Sequence, residues 1–209
     1  MSNALEHLSG MTRAPLEEVA LAIAAEFRIV DVEGARANLD LLAAGLDGRL
    51  PTNPESRAEA LVSNLAGTRG LGACACSCPE SLMLDQVLDL RRGHPLALCV
   101  VHVAVARRLG FELNVVGSDR LAMVADASVA PPLLIDPVPG GSGVSQGMSW
   151  LCPHVVGSRM LGLLVGRFLT RGSIGEAIRA AELHRLLPLA GKSRERHEAE
   201  LRSLRARLN

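Results

Sequence analysis

Apolar residues recur at helical spacing through the first third of the chain. Pro15 follows Thr12, Arg13 and Ala14, and the pattern predicts a helix from there to about Phe27. Asp31 suits the N-cap of a second helix that runs through Leu42 and Ala43 and ends near Gly45. Asn53 and Pro54 start a third, with Asn at the N-cap and Pro at the first helical position. That helix carries Ala58, Leu61, Val62 and Leu65 at helical spacing and stops at Gly67. An irregular segment rich in Gly and Cys, 68–78, comes before a helix opened by Pro79 with Leu82, Leu84, Val87 and Leu88. The run Arg91-Arg92-Gly93-His94-Pro95 breaks the pattern. Pro95 to Leu109 is then apolar almost without interruption, which predicts a helix buried on most sides and ended by Gly110.

Beyond Gly110 the period changes. Phe111 to Val116, Leu121 to Ala125 and Pro132 to Ile135 are short and bounded by turn residues, and they read as strands. Pro137 to Gly147 reads as a Gly/Ser loop. From Ser158 the helical period returns. Leu161 to Thr170 and Ile174 to Leu186 form a predicted antiparallel pair joined at Arg171-Gly172-Ser173. An amphipathic helix, Ser193 to Leu208, follows with Leu201, Leu204 and Leu208 on one stripe. Helices, one buried central helix, a small antiparallel sheet and more helices make an α+β layout, not a βαβ repeat.

Composition adds constraints. The chain has 209 residues, enough to bury a core without disulfides or metal. Aromatic residues are 2% and Tyr is absent, so Leu, Val, Ala and Ile must build that core. Lys192 is the only lysine, which reflects a preference for Arg and not a nucleic-acid signal. A formal net charge of zero gives no global field for a polyanion. No basic start followed by an apolar run marks a leader at Met1 to Gly10, and no apolar stretch is long enough for a bilayer. The expected location is the cytoplasm, with the five cysteines reduced.

Chemistry-bearing residues fall in a few places. Cys99 and His102 stand three apart on the central helix, so their side chains can approach as a Cys–His dyad, with His94 just before the helix. The plainer alternative is a small buried thiol and a hydrogen-bonded core histidine. Cys74, Cys76 and Cys78 alternate, and an extended strand would turn their sulfurs to one face. Zinc or copper can be held that way, with Cys152 or His154 as a fourth ligand. Arg91, Arg92, Arg107 and Arg108 flank the central helix. They suit either an anion patch or ion pairs with Asp85 and Asp89, and the last two favour the helix C-terminus. Gly140-Gly141-Ser142-Gly143 lacks the Lys and the strand–helix frame of a phosphate loop. In the last helix Glu alternates with Arg, as on a solvated face.

Leu88 to Gly110 resembles the core motif of the SirB-type transglutaminase-like family: an Arg-Arg-Gly-x-Pro turn, then a buried helix ending in Ala106-Arg107-Arg108-Leu109-Gly110. Ile135-Asp136-Pro137 stands at the family's Ile-Asp-Pro motif, and Pro79 to Leu84 is similar to the stretch before its core. Arg159-Met160-Leu161 and Leu183 to Pro188 resemble its TPR-like end. The resemblance implies a papain-like core with a Cys at the start of the central helix, a His on the next strand and an Asp on the one after. The Cys attacks an acyl carbonyl, the His moves the proton and the Asp orients the imidazole. By this alignment Asp136 keeps its place, Cys99 lies about one turn inside the helix, and Arg120 falls at the His position. Arg cannot act as a base. Arg120 can instead pair with Asp136 across adjacent strands, so that mutating Asp136 would cost stability and not activity.

The expectation is therefore a transglutaminase-like domain over 1–150 with its N-terminal helical layer, and a TPR-like helical tail over 151–209. The expected role is non-catalytic and regulatory, binding a protein or peptide, without nucleic acid, membrane or cofactor. The alternatives are a transamidase, amide-forming enzyme or peptidase using Cys99 with His102 or His94, and a zinc-type module on Cys74, Cys76 and Cys78.

Overall fold

The computed structural model describes residues 3–46, 48–118, 121–138, 147–188 and 191–207. Four helices come first: α1 (Asn3–Ser9), α2 (Leu16–Ala25), α3 (Val32–Ala44) and α4 (Pro54–Val62). The two expected caps form. Asp31 accepts from the Gly34 amide and Asn53 from the Ser56 amide, each satisfying a donor that the helix itself leaves free, for about 1 kcal/mol. The α4 helix widens over Ser63–Thr68 into i→i+5 bonding before the chain leaves it.

Next come the short strand β1 (Gly72–Ala73), a 3-10 turn Pro79–Leu82, α5 (Leu84–Leu90) and β2 (Arg92–Gly93). The one helix expected from Pro79 is thus two pieces, because Met83 takes an extended backbone. β1 and β2 pair in parallel, and neither was legible in a stretch of Gly, Cys and Arg. Gly93 is required there: a Cβ would lie 2.8 Å from a Val87 methyl.

The central helix α6 (Pro95–Arg108) is capped by His94, whose Nδ1 accepts from the Leu96 amide. Leu96 to His102 and Ala104 to Ala106 are buried, on successive positions around the helix, as its apolar run requires. The sheet follows as β3 (Asn114–Gly117), β4 (Ala122–Asp126), β5 (Leu133–Ile135) and β6 (Ser149–Leu151), in the order β5-β4-β3-β6, antiparallel throughout. Val115, Val124, Ile135 and Leu151 face the main core with α6, while Val116, Met123 and Ala125 form a small cluster on the other face. Period-two alternation on a sheet covered on both faces explains the pattern. The first strand begins at Asn114, not Phe111, because Phe111 lies under the Arg57 guanidinium, 4.7 Å from its ring centre. The strand β6, Ser-Trp-Leu, was not legible because it lacks the turn-bounded apolar run that marked β5.

The chain ends with α7 (Pro153–Arg171), α8 (Ile174–Leu183), a 3-10 turn His184–Leu186 and α9 (Lys192–Ala206). α7 starts five residues before the expected Ser158, with Pro153 at its first position. Gly172 in the left-handed region, φ 80°, ends it. α7 packs on both α8 and α2, so its buried residues join the same continuous core. Among the described residues α9 buries Leu201 and Leu204 alone, and Leu208 lies outside them.

The arginines at the ends of α6 find other partners than expected. Arg107 and Arg108 both pair with buried Glu17, and Arg108 also reaches Asp40. Asp85 pairs with Arg28 instead. No helix among the described residues is long and apolar enough to cross a membrane.

Candidate functional site

Cys99 sits one turn into α6 and is 0% exposed, and His102, one turn further on, is 1% exposed. Burial drives the thiol well above its ordinary range, and the nearby Asp136 carboxylate pushes it further in the same direction. Burial also lowers His102 to about 4, against smaller opposing effects of its bond to the Leu98 carbonyl and of Asp136. The Nδ1–H of His102 donates to that carbonyl at 2.8 Å, while its Nε2 has no partner. The fold therefore does bring Cys99, His102 and Asp136 into one neighbourhood. Among the described residues no hydrogen bond links Cys99 to His102 or to His94. A thiol pushed up beside an imidazole pushed down is a neutral pair, the opposite of the thiolate–imidazolium pair that nucleophilic catalysis needs.

Asp136 follows β5 and accepts from the Val138 amide at 2.8 Å. Arg120, its expected partner, lies outside the described residues, as does the glycine loop 140–143.

The His94 imidazole is committed to capping α6. Its pKa is lowered to about 4 by burial and by the Arg167 guanidinium. Arg167 donates to the Cys78 carbonyl at 2.6 Å and also to the Ser81 hydroxyl. This ties α7 to the loop that carries Cys74, Cys76 and Cys78, and β1 ties the loop to β2 through the Cys74 amide and the Gly93 carbonyl, 2.8 Å apart. The three sulfurs lie within 4.8 Å of one another, beside the start of α6. The alternation expected from C-x-C-x-C does gather them. Cys76 and Cys78 are joined as a disulfide, where five thiols were expected: their Cα atoms are 5.3 Å apart, within disulfide reach. Neither Cys152 nor His154 joins the sulfur cluster, and His154 Nε2 is within 3.2 Å of the Leu8 carbonyl instead.

Sequence reasoning missed a cleft of about 450 Å³ between α4 and the edge strand β5. Glu55, Ala58, Glu59 and Val62 form one wall, and Leu133 to Asp136 form the other. Among the described residues β5 bonds only to β4, so its other edge is unpaired. A buried ion pair fixes the helical wall: Arg57 donates to Asp126 of β4 at 2.7 Å, and the Asp126 side chain is 3% exposed. The Ser128 amide and Arg57 together hold the Asp126 carboxyl below its usual range against the opposing effect of burial. The clue in the sequence was Glu55 and Glu59, one turn apart on the exposed side of a helix whose other side is apolar.

No curated protein and no solved structure matches this chain. The family model of the transglutaminase-like superfamily matches residues 33–149, which run from α3 to the first residue of β6 and so take in the central helix, strands β3 to β5 and the cleft. With more than half of its length inside that match, the chain belongs to the transglutaminase-like superfamily.

Proposed function

We propose that this chain is a non-catalytic, SirB-type member of its superfamily, a binding module that takes an extended basic segment of a partner protein along the free edge of β5. What carries the reading is the burial of Cys99 and His102 as a neutral pair, beside an open cleft whose charged lining, among the described residues, is acidic. An unpaired strand edge offers main-chain donors and acceptors to an added strand, and the half-buried Leu133 and Leu134 offer apolar contact. Glu55, Glu59 and Asp136 favour Lys or Arg in the added strand over Asp or Glu. The TPR-like pair α7 and α8 supplies a second contact surface, and the role is regulatory.

The test is fluorescence anisotropy with a labelled peptide of alternating Lys and Val, against its Glu-for-Lys counterpart. The reading expects the lysine peptide to bind and the glutamate peptide to bind at least about tenfold more weakly, equivalent to roughly 1.4 kcal/mol. Equal affinities, or no binding of either, would remove it.

The gathered sulfurs favour a second reading, a zinc-type site on Cys74, Cys76 and Cys78. A disulfide between Cys76 and Cys78 withdraws two of the three ligands, so the two states are exclusive. Native mass spectrometry separates them: bound metal with three free thiols in the loop supports the site, and a mass two hydrogens lighter without metal supports the disulfide.

A further inference from the structure

Loop 74–78 is fixed at both ends and open in the middle. The Cys74 amide donates to the Gly93 carbonyl at 2.8 Å, and the Cys78 carbonyl accepts from Arg167 at 2.6 Å. Both anchors on the loop are main-chain groups, so they do not depend on the cysteine side chains. Between them Cys76 is exposed, while Cys74 and Cys78 are half-buried. Arg167 is half-buried too and lies close enough to Cys74 for their charges to interact.

The sulfurs are ordered around Cys76. Its Sγ is bonded to that of Cys78, and the Sγ of Cys74 lies 2.7 Å from it. The Cys76 amide donates to the Cys74 sulfur at 3.3 Å, which holds that sulfur against its neighbour. A disulfide with a free thiol in contact is the reactant state of thiol–disulfide exchange, in which a thiolate attacks one sulfur and the other leaves. Cys76 stands two residues from each of the others, so the 74–76 and 76–78 bridges close loops of equal length. Closure entropy therefore favours neither bridge.

We infer that 74–78 is a thiol–disulfide exchange site in which Cys76 is the shared sulfur and Cys74 and Cys78 alternate as its partner. Its substrate class is a small-molecule disulfide, reached through exposed Cys76. The inference rests on the gathered sulfurs and not on the strand-edge reading or on a bound metal. In the reduced loop the Cys76 thiolate attacks one sulfur of the substrate. A bond to Cys76 forms, the substrate's S–S bond breaks, and one small thiolate leaves. The Cys74 or Cys78 thiolate then attacks Cys76 and expels the second. Two electrons and two protons have passed from the loop to the substrate. Once formed, the bridge moves: the Cys74 thiolate attacks Cys76, the Cys78 thiolate leaves, and a proton passes from one end of the loop to the other with no net oxidation. The Arg167 guanidinium, near Cys74 and bonded to the Cys78 carbonyl, offsets the negative charge at either end.

The experiment uses full-length protein, reduced, stripped of metal with a chelator and mixed with glutathione disulfide. Acid stops the exchange by protonating the thiolates, and free thiols are then alkylated with N-ethylmaleimide. The tryptic peptide 70–91 carries these three cysteines and no other, so its fragments show where the label sits. The inference expects two glutathiones released per bridge and no lasting adduct on Cys76. In the bridged peptide the label should be divided between Cys74 and Cys78, the two fractions within about tenfold of one another. Cys78→Ser keeps both anchors and should form the Cys74–Cys76 bridge within about tenfold of the native rate, with helix content by circular dichroism unchanged. Cys76→Ser should slow bridge formation by more than about tenfold, because the shared sulfur is gone. Label confined to Cys74 would overturn the inference, as would three free thiols after treatment. So would a stable glutathione adduct on Cys76 in Cys78→Ser, or a Cys76→Ser loop that closes as fast as the native one.

Discussion

The neighbourhood of Cys99 and the cleft between α4 and β5 lie on either side of Asp136, and they are built on opposite rules. Around Cys99 the residues Leu96 to His102 of α6 are all buried, the thiol is pushed up and His102 is held neutral. Across β5, Leu133 and Leu134 are half-buried, and among the described residues the strand edge is unpaired and the charges are carboxylates. The first region resists ionisation and admits nothing. The second is shaped and charged for a ligand. A superfamily built around a buried helix beside a sheet can thus keep its frame while its binding surface moves to the sheet edge. A fold alone does not fix where function sits.

The largest effects should come from disturbing the sealed side. Leu98→Ala, at a fully buried position of α6, should cost about 2–5 kcal/mol in urea unfolding, as a cavity that the packed helix cannot close. A similar penalty tests how the two sides are joined. Asp126→Asn leaves Arg57 without its buried carboxylate and should cost about 3 kcal/mol. Because Arg57 fixes α4, the same change should also weaken binding of the lysine peptide. If binding stays intact while stability drops, α4 is no wall of a binding site.

Acid should act next. His94, His102 and His184 are each lowered to about 4 in the fold from 6.5. Between those values the unfolded chain binds more protons than the folded one. Stability is then full above pH 6.5 and falls as the pH drops towards 4, with a slope of up to about 1.4 kcal/mol per pH unit for each ring. A thermal melting series should show the decline, and His102→Leu should make it shallower. A Tm flat from pH 7 to pH 4 would mean that these rings are not held neutral. The smallest effect belongs to the open side. Glu55→Lys with Glu59→Lys should leave stability within about 0.5 kcal/mol while weakening the lysine peptide about tenfold.

The frame was legible from local signals. Asp31 and Asn53 announced their helices because a capping side chain acts within three residues. The unbroken apolar run Pro95 to Leu109 announced a helix with no wet face. β1, β2 and β6 were not legible: β1 and β2 are two residues each, β6 lacks the turn-bounded apolar run that marked β5, and their pairing is set by distant partners. The arginines failed for a related reason. Arg107 and Arg108 looked for partners nearby in sequence and found Glu17, some 90 positions away. At the site, the match of Ile135-Asp136-Pro137 placed Asp136 near Cys99 and His102, yet the pattern could not show that the pair is sealed.

Alkylation of the reduced, folded protein by iodoacetamide across pH 6 to 9, with each cysteine mapped by mass spectrometry, tests the sealed centre most directly. The account predicts that Cys99 stays unlabelled over that range while exposed Cys152 is labelled, and that Cys99 reacts only after unfolding. Rapid labelling of Cys99 at neutral pH in the folded protein would contradict it, and would return this chain to the nucleophiles of its superfamily.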